Sequence, residues 1–170
     1  MNTLRDVRTL ARYMAWANDR IYDAVAALPE GEATKPRRSI FKNVVHTLNH
    51  VYVIDSIFQA HLEGRAHAFT ARNTPDWPPL DELRRKQRAI DDWYVAWSDR
   101  LTESELDRSV RFTYVGGGEG VMTCGQIALH LVNHTTYHRG FVADMLCQAS
   151  VHPPTTDLTV FIRDVAPKLD

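Results

Sequence analysis

The chain has 170 residues, of which 44% are hydrophobic, and a formal net charge of −1 at neutral pH. This length and composition suit one domain, residues 1–170, with a sizeable apolar core. The near-zero charge provides no basic surface for nucleic acid, and the longest apolar runs are too short to span a membrane. The charged N-terminus lacks the apolar stretch of a signal peptide, so we expect a cytoplasmic protein.

Apolar residues recur at intervals of three and four in four long segments, which predicts four amphipathic helices. Ser39 is the expected N-cap of the second helix, and Gly64 is its expected terminator. Thr123 and Gln126 have the spacing of a capping box at the start of the fourth. Together these segments predict an all-α four-helix bundle, with helices over residues 4–28, 39–62, 80–101 and 123–149.

Two shorter features accompany the four helices. Val110, Phe112 and Tyr114 alternate with polar residues ahead of the glycines at 116–118. This pattern predicts a small hairpin or an extended excursion before the last long helix. The glycines do not form a phosphate-binding motif, because no Gly-Lys-Ser/Thr follows them. The helical spacing within 157–165 predicts a short closing helix.

A carboxylate interrupts the apolar stripe of the predicted second helix. Asp55 lies seven residues after Leu48 and seven before Leu62, so it shares the buried face of the helix. A carboxylate in that position needs a partner. Two interpretations stand: Asp55 orients a metal-ligating histidine, or it forms a salt bridge along the helix side.

Three histidines in the predicted fourth helix recur at intervals of four: His130, His134 and His138. Residues four apart lie on one helix face, one turn from each other. Two neutral imidazoles in that arrangement can bind the same divalent ion. The zinc-protease motif also has this spacing, but it requires Glu where this chain has Thr135, so that interpretation fails.

A second histidine pair, His46 and His50, lies in the predicted second helix. Imidazoles contributed by two helices, with coordination positions left for water, would make a catalytic metal site rather than a closed structural one. The competing interpretation is that these histidines are partly buried residues satisfied by hydrogen bonds. Spacing alone does not decide which residue of this second pair completes a site.

Several motifs, taken in order, resemble those of the DinB-like family, also called the DinB/YfiT superfamily. They cover nearly the whole chain and include ARYMAWAN at 11–18, TLNH at 47–50, HLVNHTTYHRG at 130–140 and the closing segment at 153–158. The resemblance implies a four-helix bundle of DinB-like type that holds one divalent metal ion through three histidines.

Carried over to this sequence, the implied ligands are His50, His134 and His138, with nitrogens about 2.0–2.2 Å from the ion. His46 is then expected outside the ligand set. Zinc and nickel are the metals most expected, and iron is the next. The chain departs from the family where it has Tyr137, often His, and Phe141, often Gln. Neither position is an implied ligand, so we expect these departures to change the substrate surroundings rather than the metal site.

The resemblance specifies the scaffold and the metal better than the reaction. Characterised relatives include transferases and isomerases that use low-molecular-weight thiols, and many members are described only as metal-dependent hydrolases. We therefore expect a metal-dependent hydrolase or thiol-dependent S-transferase that acts on a small-molecule substrate. Its ion would acidify a bound water or a bound thiol to give the nucleophile. The alternative is a non-catalytic metal-binding or stress-response bundle with the same ligands.

Two further residues and the assembly complete the expectations. Tyr137 is a candidate proton donor, with core packing as the competing interpretation. Arg139 is a candidate for binding a substrate carboxylate, with a surface position at the helix end as the competing interpretation. The resemblance, together with the aromatic residues Trp16, Trp93, Tyr94 and Trp97, favours a homodimer.

Overall fold

The computed structural model describes residues 3–166. None of the helices in this range is both long and apolar enough to cross a membrane. The elements follow one another in the order α1 (Thr3–Ala26), α2 (Val44–Leu62), α3 (Leu80–Arg100), α4 (Glu103–Leu106), β1 (Ser109–Thr113), β2 (Glu119–Thr123), α5 (Cys124–Gln148) and α6 (Leu158–Asp164).

The four long helices form the predicted bundle. Helix α1 packs against α3 and α5, and α2 packs against α5 and α3. Apolar stripes from all four meet in the core, where side chains such as Met14, Ile21, Leu83, Ile127 and Met145 are at most 2% exposed. The all-α four-helix bundle predicted from the apolar spacing is therefore confirmed.

Helix α2 begins five residues later than predicted, and its N-cap is Asn43 rather than Ser39. The extended backbone of Asn43 lets its side chain accept a 2.8 Å hydrogen bond from the N–H of His46. Its amide also donates to the carbonyl of Thr34, which ties the start of the helix to the preceding loop. Asn43 therefore satisfies a free N–H of the helix, whereas the hydroxyl of Ser39 accepts from the N–H of Phe41 in the preceding loop. The predicted terminator, Gly64, has a positive φ of 68° just beyond the helix.

The predicted extended segment is a hairpin, in which β1 and β2 pair antiparallel. Alternation along β1 buries Val110 and Phe112 against the bundle core, beside Phe58 of α2. Gly120 lies opposite Phe112, and a Cβ there would come within 2.6 Å of the phenyl ring. The hairpin therefore forms a wall at one side of the bundle. The short helix α4 was missed, although Thr102 and Glu105 form a capping box at its start.

Candidate metal centre

Three histidine side chains from two helices converge on one point. Helix α2 contributes His50, and α5 contributes His134 and His138 one turn apart. The Nε2 atom of His134 lies 3.2 Å from Nε2 of His50 and 3.0 Å from Nε2 of His138. Separations of about 3 Å are those of nitrogens that each lie about 2 Å from one shared ion. The three residues form a group that could hold a metal ion, while its metal occupancy stays a prediction.

Hydrogen bonding alone does not satisfy this arrangement. Nδ1 of His50 lies 2.7 Å from the carbonyl oxygen of Arg72. Because a carbonyl only accepts, Nδ1 carries the proton, and Nε2 of His50 presents its lone pair to the cluster. Nε2 of His134 has either one proton or one lone pair, so it cannot form good hydrogen bonds to both neighbours at once. A cation between the three nitrogens would satisfy all of them, so the donor set fits a divalent ion.

All three imidazoles are held in the neutral form that ligates metals. Burial, together with the neighbouring imidazoles of His138 and His50, lowers the pKa of His134 to about 3. Burial likewise lowers the pKa of His138 to about 4. The pKa of His50 is also lowered, first by burial, although its bond to the Arg72 carbonyl opposes the shift. The lone pairs are therefore available at neutral pH.

An aromatic residue covers one side of the cluster. The ring of Phe41, which lies just before α2, packs 4.9 Å from the ring of His138 and 5.3 Å from that of His50. Phe141 contacts both Phe41 and His138. Nδ1 of His134 and Nδ1 of His138 have no hydrogen-bond partner within residues 3–166. Ring packing, rather than a second hydrogen bond, therefore orients His138 in the described structure.

A cavity of about 330 Å³ opens on another side of the cluster, between α2, α5 and the hairpin. It reaches His50 and His134 but not His138. Its opposite end is formed by the hairpin, where the ring of Phe112 stacks on His61 with centroids 4.9 Å apart. The cavity gives a small molecule a route to the three nitrogens that Phe41 does not block.

The remaining histidines of the two motifs lie outside the cluster. Nδ1 of His46 accepts a hydrogen bond from the backbone N–H of Lys42, and its ring contacts Trp77. His130 lines the cavity one turn before His134 and packs against Phe58. Of the five histidines in the two motifs, only His50, His134 and His138 therefore reach the common point.

The two candidate catalytic residues occupy different surroundings from those expected. Tyr137 is 58% exposed, so it is not a core residue, and its ring lies edge-on to His138 with centroids 5.1 Å apart. Arg139 is 4% exposed and lies in the middle of α5 rather than at its end. Its guanidinium donates to Asn18 and to the hydroxyl of Tyr13, and it does not line the cavity. Arg139 is therefore not a surface residue at the helix end, and its role toward a substrate carboxylate stays a prediction.

The carboxylate Asp55 belongs to a second buried polar cluster, away from the histidines. The amide of Gln87 donates to Asp55 at 2.9 Å and to Asp91 at 3.0 Å, and Asn18 donates to Asp91. Within the described chain, Asp55 neither bonds to a ligating histidine nor forms a salt bridge. Burial raises the pKa of Asp55 well above its usual range, and that of Asp91 to about 7. The cluster links α1, α2, α3 and, through Arg139, α5.

Sequence reasoning missed two residues that shape the centre. Arg72 acts through its backbone carbonyl, a group that every residue has, so residue type carries no signal for it. Phe41 lies in a stretch assigned to the second helix, where an apolar residue ordinarily indicates core. Its spacing from His50, nine residues further on, did not distinguish it from a core residue.

Comparisons with known proteins give one consistent result. The sequence profile of the DinB family matches residues 1–168. Protein DinB of Bacillus subtilis (strain 168) is 26% identical over 164 residues, which cover 90% of this chain and 91% of that protein. The crystal structure of a DinB-like protein from Bacillus cereus ATCC 10987 superposes with a TM-score of 0.65 and 14% identity, covering 86% of this chain and 94% of that one. At that identity the structural likeness shows the fold alone, whereas the profile match over nearly the whole length shows that the chain belongs to the DinB family.

Proposed function

We propose that this DinB family protein is a metal-dependent enzyme whose divalent ion is held by His50, His134 and His138. The observation that carries the proposal is the convergence of three Nε2 atoms at the end of a cavity large enough for a small molecule. Three neutral protein ligands leave coordination positions for a reactant, which is the arrangement of catalytic rather than structural sites. Zinc and nickel are the first candidates for the ion, and iron is the next.

The residues around the cavity favour a reaction in which the ion itself activates the nucleophile. No carboxylate lines the cavity within the described residues, so no Asp or Glu there is placed to act as a general base. A divalent ion with three neutral ligands lowers the pKa of a water or a thiol and so supplies a nucleophile near neutral pH. The protein would then act as a hydrolase or, with a low-molecular-weight thiol, as an S-transferase. Phe41 and Phe141 shield the ligand histidines from solvent on the side away from the cavity.

The test of this proposal is turnover by metal-loaded protein. Untagged protein is loaded with zinc or nickel and screened for hydrolysis of p-nitrophenyl esters and for transfer of glutathione or cysteine to 1-chloro-2,4-dinitrobenzene. We expect one of these activities in the loaded protein and its loss in His134→Ala. His46→Ala serves as the matched control, because its ring lies outside the cluster. Metal binding without turnover in either assay would favour the non-catalytic metal-binding alternative.

Three further properties belong to the same proposal. We propose that residues 1–170 form one functional domain and that the protein works in the cytoplasm. We also propose a homodimer, supported by Trp16, Trp93 and Trp97, which are only half-buried within one protomer. Light scattering at micromolar concentration tests the assembly, and a monomer alone would contradict it.

A further inference from the structure

The cavity beside the histidine cluster is elongated. Its lining from α2 comes from one face of the helix, from His50 to His61, which are eleven residue steps apart. At 1.5 Å per residue this face is about 16 Å long. The cluster lies at one end, because His50 belongs to it and His61 does not. A ligand with its reacting atom at the cluster would therefore extend along α2 toward the hairpin.

The walls along this length are apolar and aromatic. Helix α2 contributes Ile54 and Phe58, and the hairpin contributes Phe112 and Met122 from facing strands. Ile54 and Met122 are only partly buried within the protein itself. Surfaces of this kind bind an apolar or aromatic body, because covering them removes apolar area from water.

The charge of the lining has one sign. Arg72, which is exposed at the rim, is the only residue with a fixed side-chain charge among those that line the cavity, and the polar remainder are histidines, a tyrosine and a threonine. Within residues 3–166, no carboxylate forms an ion pair with Arg72, whereas ten other ion pairs are formed. The guanidinium therefore remains available for an anion, which it binds through paired N–H donors.

The backbone of Arg72 contacts the histidine cluster, which places this charged residue near it. Its own backbone carbonyl accepts the Nδ1 proton of His50 at 2.7 Å, so the residue is anchored at the cluster end of the cavity. A carboxylate bound there would lie near the reacting end of a ligand, while the rest of that ligand extends along the apolar wall.

We propose that the cavity binds a small amphiphilic carboxylate, with its anionic group on Arg72 and its apolar or aromatic body between α2 and the hairpin. This inference rests on the proposed function, because it names the substrate class of the same site. Cationic molecules are disfavoured by Arg72 and would be disfavoured further by a bound divalent ion.

The experiment compares four probes of matched shape or charge by calorimetry or ligand-observed NMR. They are 3-phenylpropanoate, its amide, 3-phenylpropylammonium and acetate. We expect 3-phenylpropanoate to bind several-fold more tightly than the amide, since an ion pair at an exposed arginine contributes up to about 1 kcal/mol. Acetate, which lacks the apolar body, should bind more weakly still, and the ammonium compound should not bind.

Two variants test whether the side chain of Arg72 causes the preference for the carboxylate over the amide. Arg72→Gln should abolish the difference between carboxylate and amide while retaining the metal, because the backbone carbonyl that holds His50 is unchanged. Arg111→Gln is the matched control: it removes an equal charge from the exposed face of β1, outside the cavity. Each protein is measured both metal-loaded and metal-stripped, with metal content determined separately.

The outcomes separate this inference from the metal proposal. A carboxylate preference that is present without metal and lost only in Arg72→Gln supports the inference. Equal affinities for carboxylate and amide in both states would overturn it and leave metal binding intact. A preference seen only in loaded protein and unaffected by Arg72→Gln would also overturn it, since the ion would then bind the anion. If the protein binds the carboxylate through Arg72 but no metal, the inference about the cavity holds and the proposed function fails.

Discussion

The imidazole of His50 donates its Nδ1 proton to the backbone carbonyl of Arg72 at 2.7 Å. This bond determines which nitrogen of His50 faces His134 and His138, so a loop remote from the motif prepares the ligand. The loop is in turn held by Asn49, whose buried amide donates to Asn73 and Thr74 at 2.8 and 2.9 Å. The Asn-His pair of the motif therefore supplies both a ligand and the anchor of its hydrogen-bond acceptor.

The first prediction concerns this anchor. Asn49→Leu keeps the approximate volume of the side chain but removes both hydrogen bonds to the loop. We expect the metal affinity to fall by about tenfold, the lower end of the loss typical when a partner of a ligating histidine is removed. Competition with a chelator of known affinity measures the change.

The control is Asn133→Leu, because Asn133 also precedes a ligand histidine but is exposed. Circular dichroism checks that both variants remain helical. Wild-type affinity in a folded Asn49→Leu protein would show that the loop does not position His50.

The second prediction concerns the buried carboxyl pair. The pKa of Asp91 is raised to about 7 and that of Asp55 is raised well above its usual range, mainly by burial. Folded protein therefore binds more protons than unfolded protein above about pH 4. The stability contributed by these neutral carboxyls is complete below that pH and is lost as the pH rises through about 7.

Asp55→Asn replaces one of these carboxyls with an amide that does not ionise, and its oxygen still accepts the bond from Gln87. We expect the free energy of unfolding of the variant, relative to wild type, to increase by at least about 1 kcal/mol between pH 5 and pH 8. Urea unfolding of metal-stripped protein measures this difference, in which the contributions of the histidines cancel. Asp92→Asn, an exposed neighbour on α3, should show no such trend. Parallel pH profiles for Asp55→Asn and wild type would contradict the prediction.

The third prediction concerns the covered side of the cluster. Phe41→Ala opens a second path for solvent and chelator to His50 and His138. We expect chelator-driven metal release to accelerate several-fold, because the apolar residues around a metal site control solvent access. Ile40→Ala is the control, since Ile40 is 71% exposed. Equal release rates for the two variants, each measured by stopped flow, would assign no shielding role to Phe41.

The extent to which sequence predicted this molecule depended on the range of each interaction. Helix faces follow from local periodicity, so the convergence of His134 and His138 on one face was predictable from spacing. The choice of His50 over His46 came only from the family resemblance, since both lie in the same helix.

Features that depend on contacts between residues distant in the sequence were not predicted. The start of α2 at Val44 depends on the side chain of its N-cap, Asn43, which also bonds to the carbonyl of Thr34, nine residues earlier. Arg139 was expected on the surface or at the substrate, yet Asn18 and Tyr13 on α1 hold it in the interior. Such partners are distant in the sequence, and no local pattern specifies them.

The most direct test of the three-histidine centre is metal stoichiometry in single variants. Untagged protein is loaded with zinc or nickel and separated from free ion, and its metal content is measured by inductively coupled plasma mass spectrometry. Wild type and His46→Ala should each retain about one ion per chain, whereas His50→Ala, His134→Ala and His138→Ala should each lose most of it. Full occupancy in His50→Ala and His134→Ala with loss in His46→Ala would contradict the ligand assignment. A wild-type protein that binds no divalent ion under any loading condition would contradict the metal centre itself.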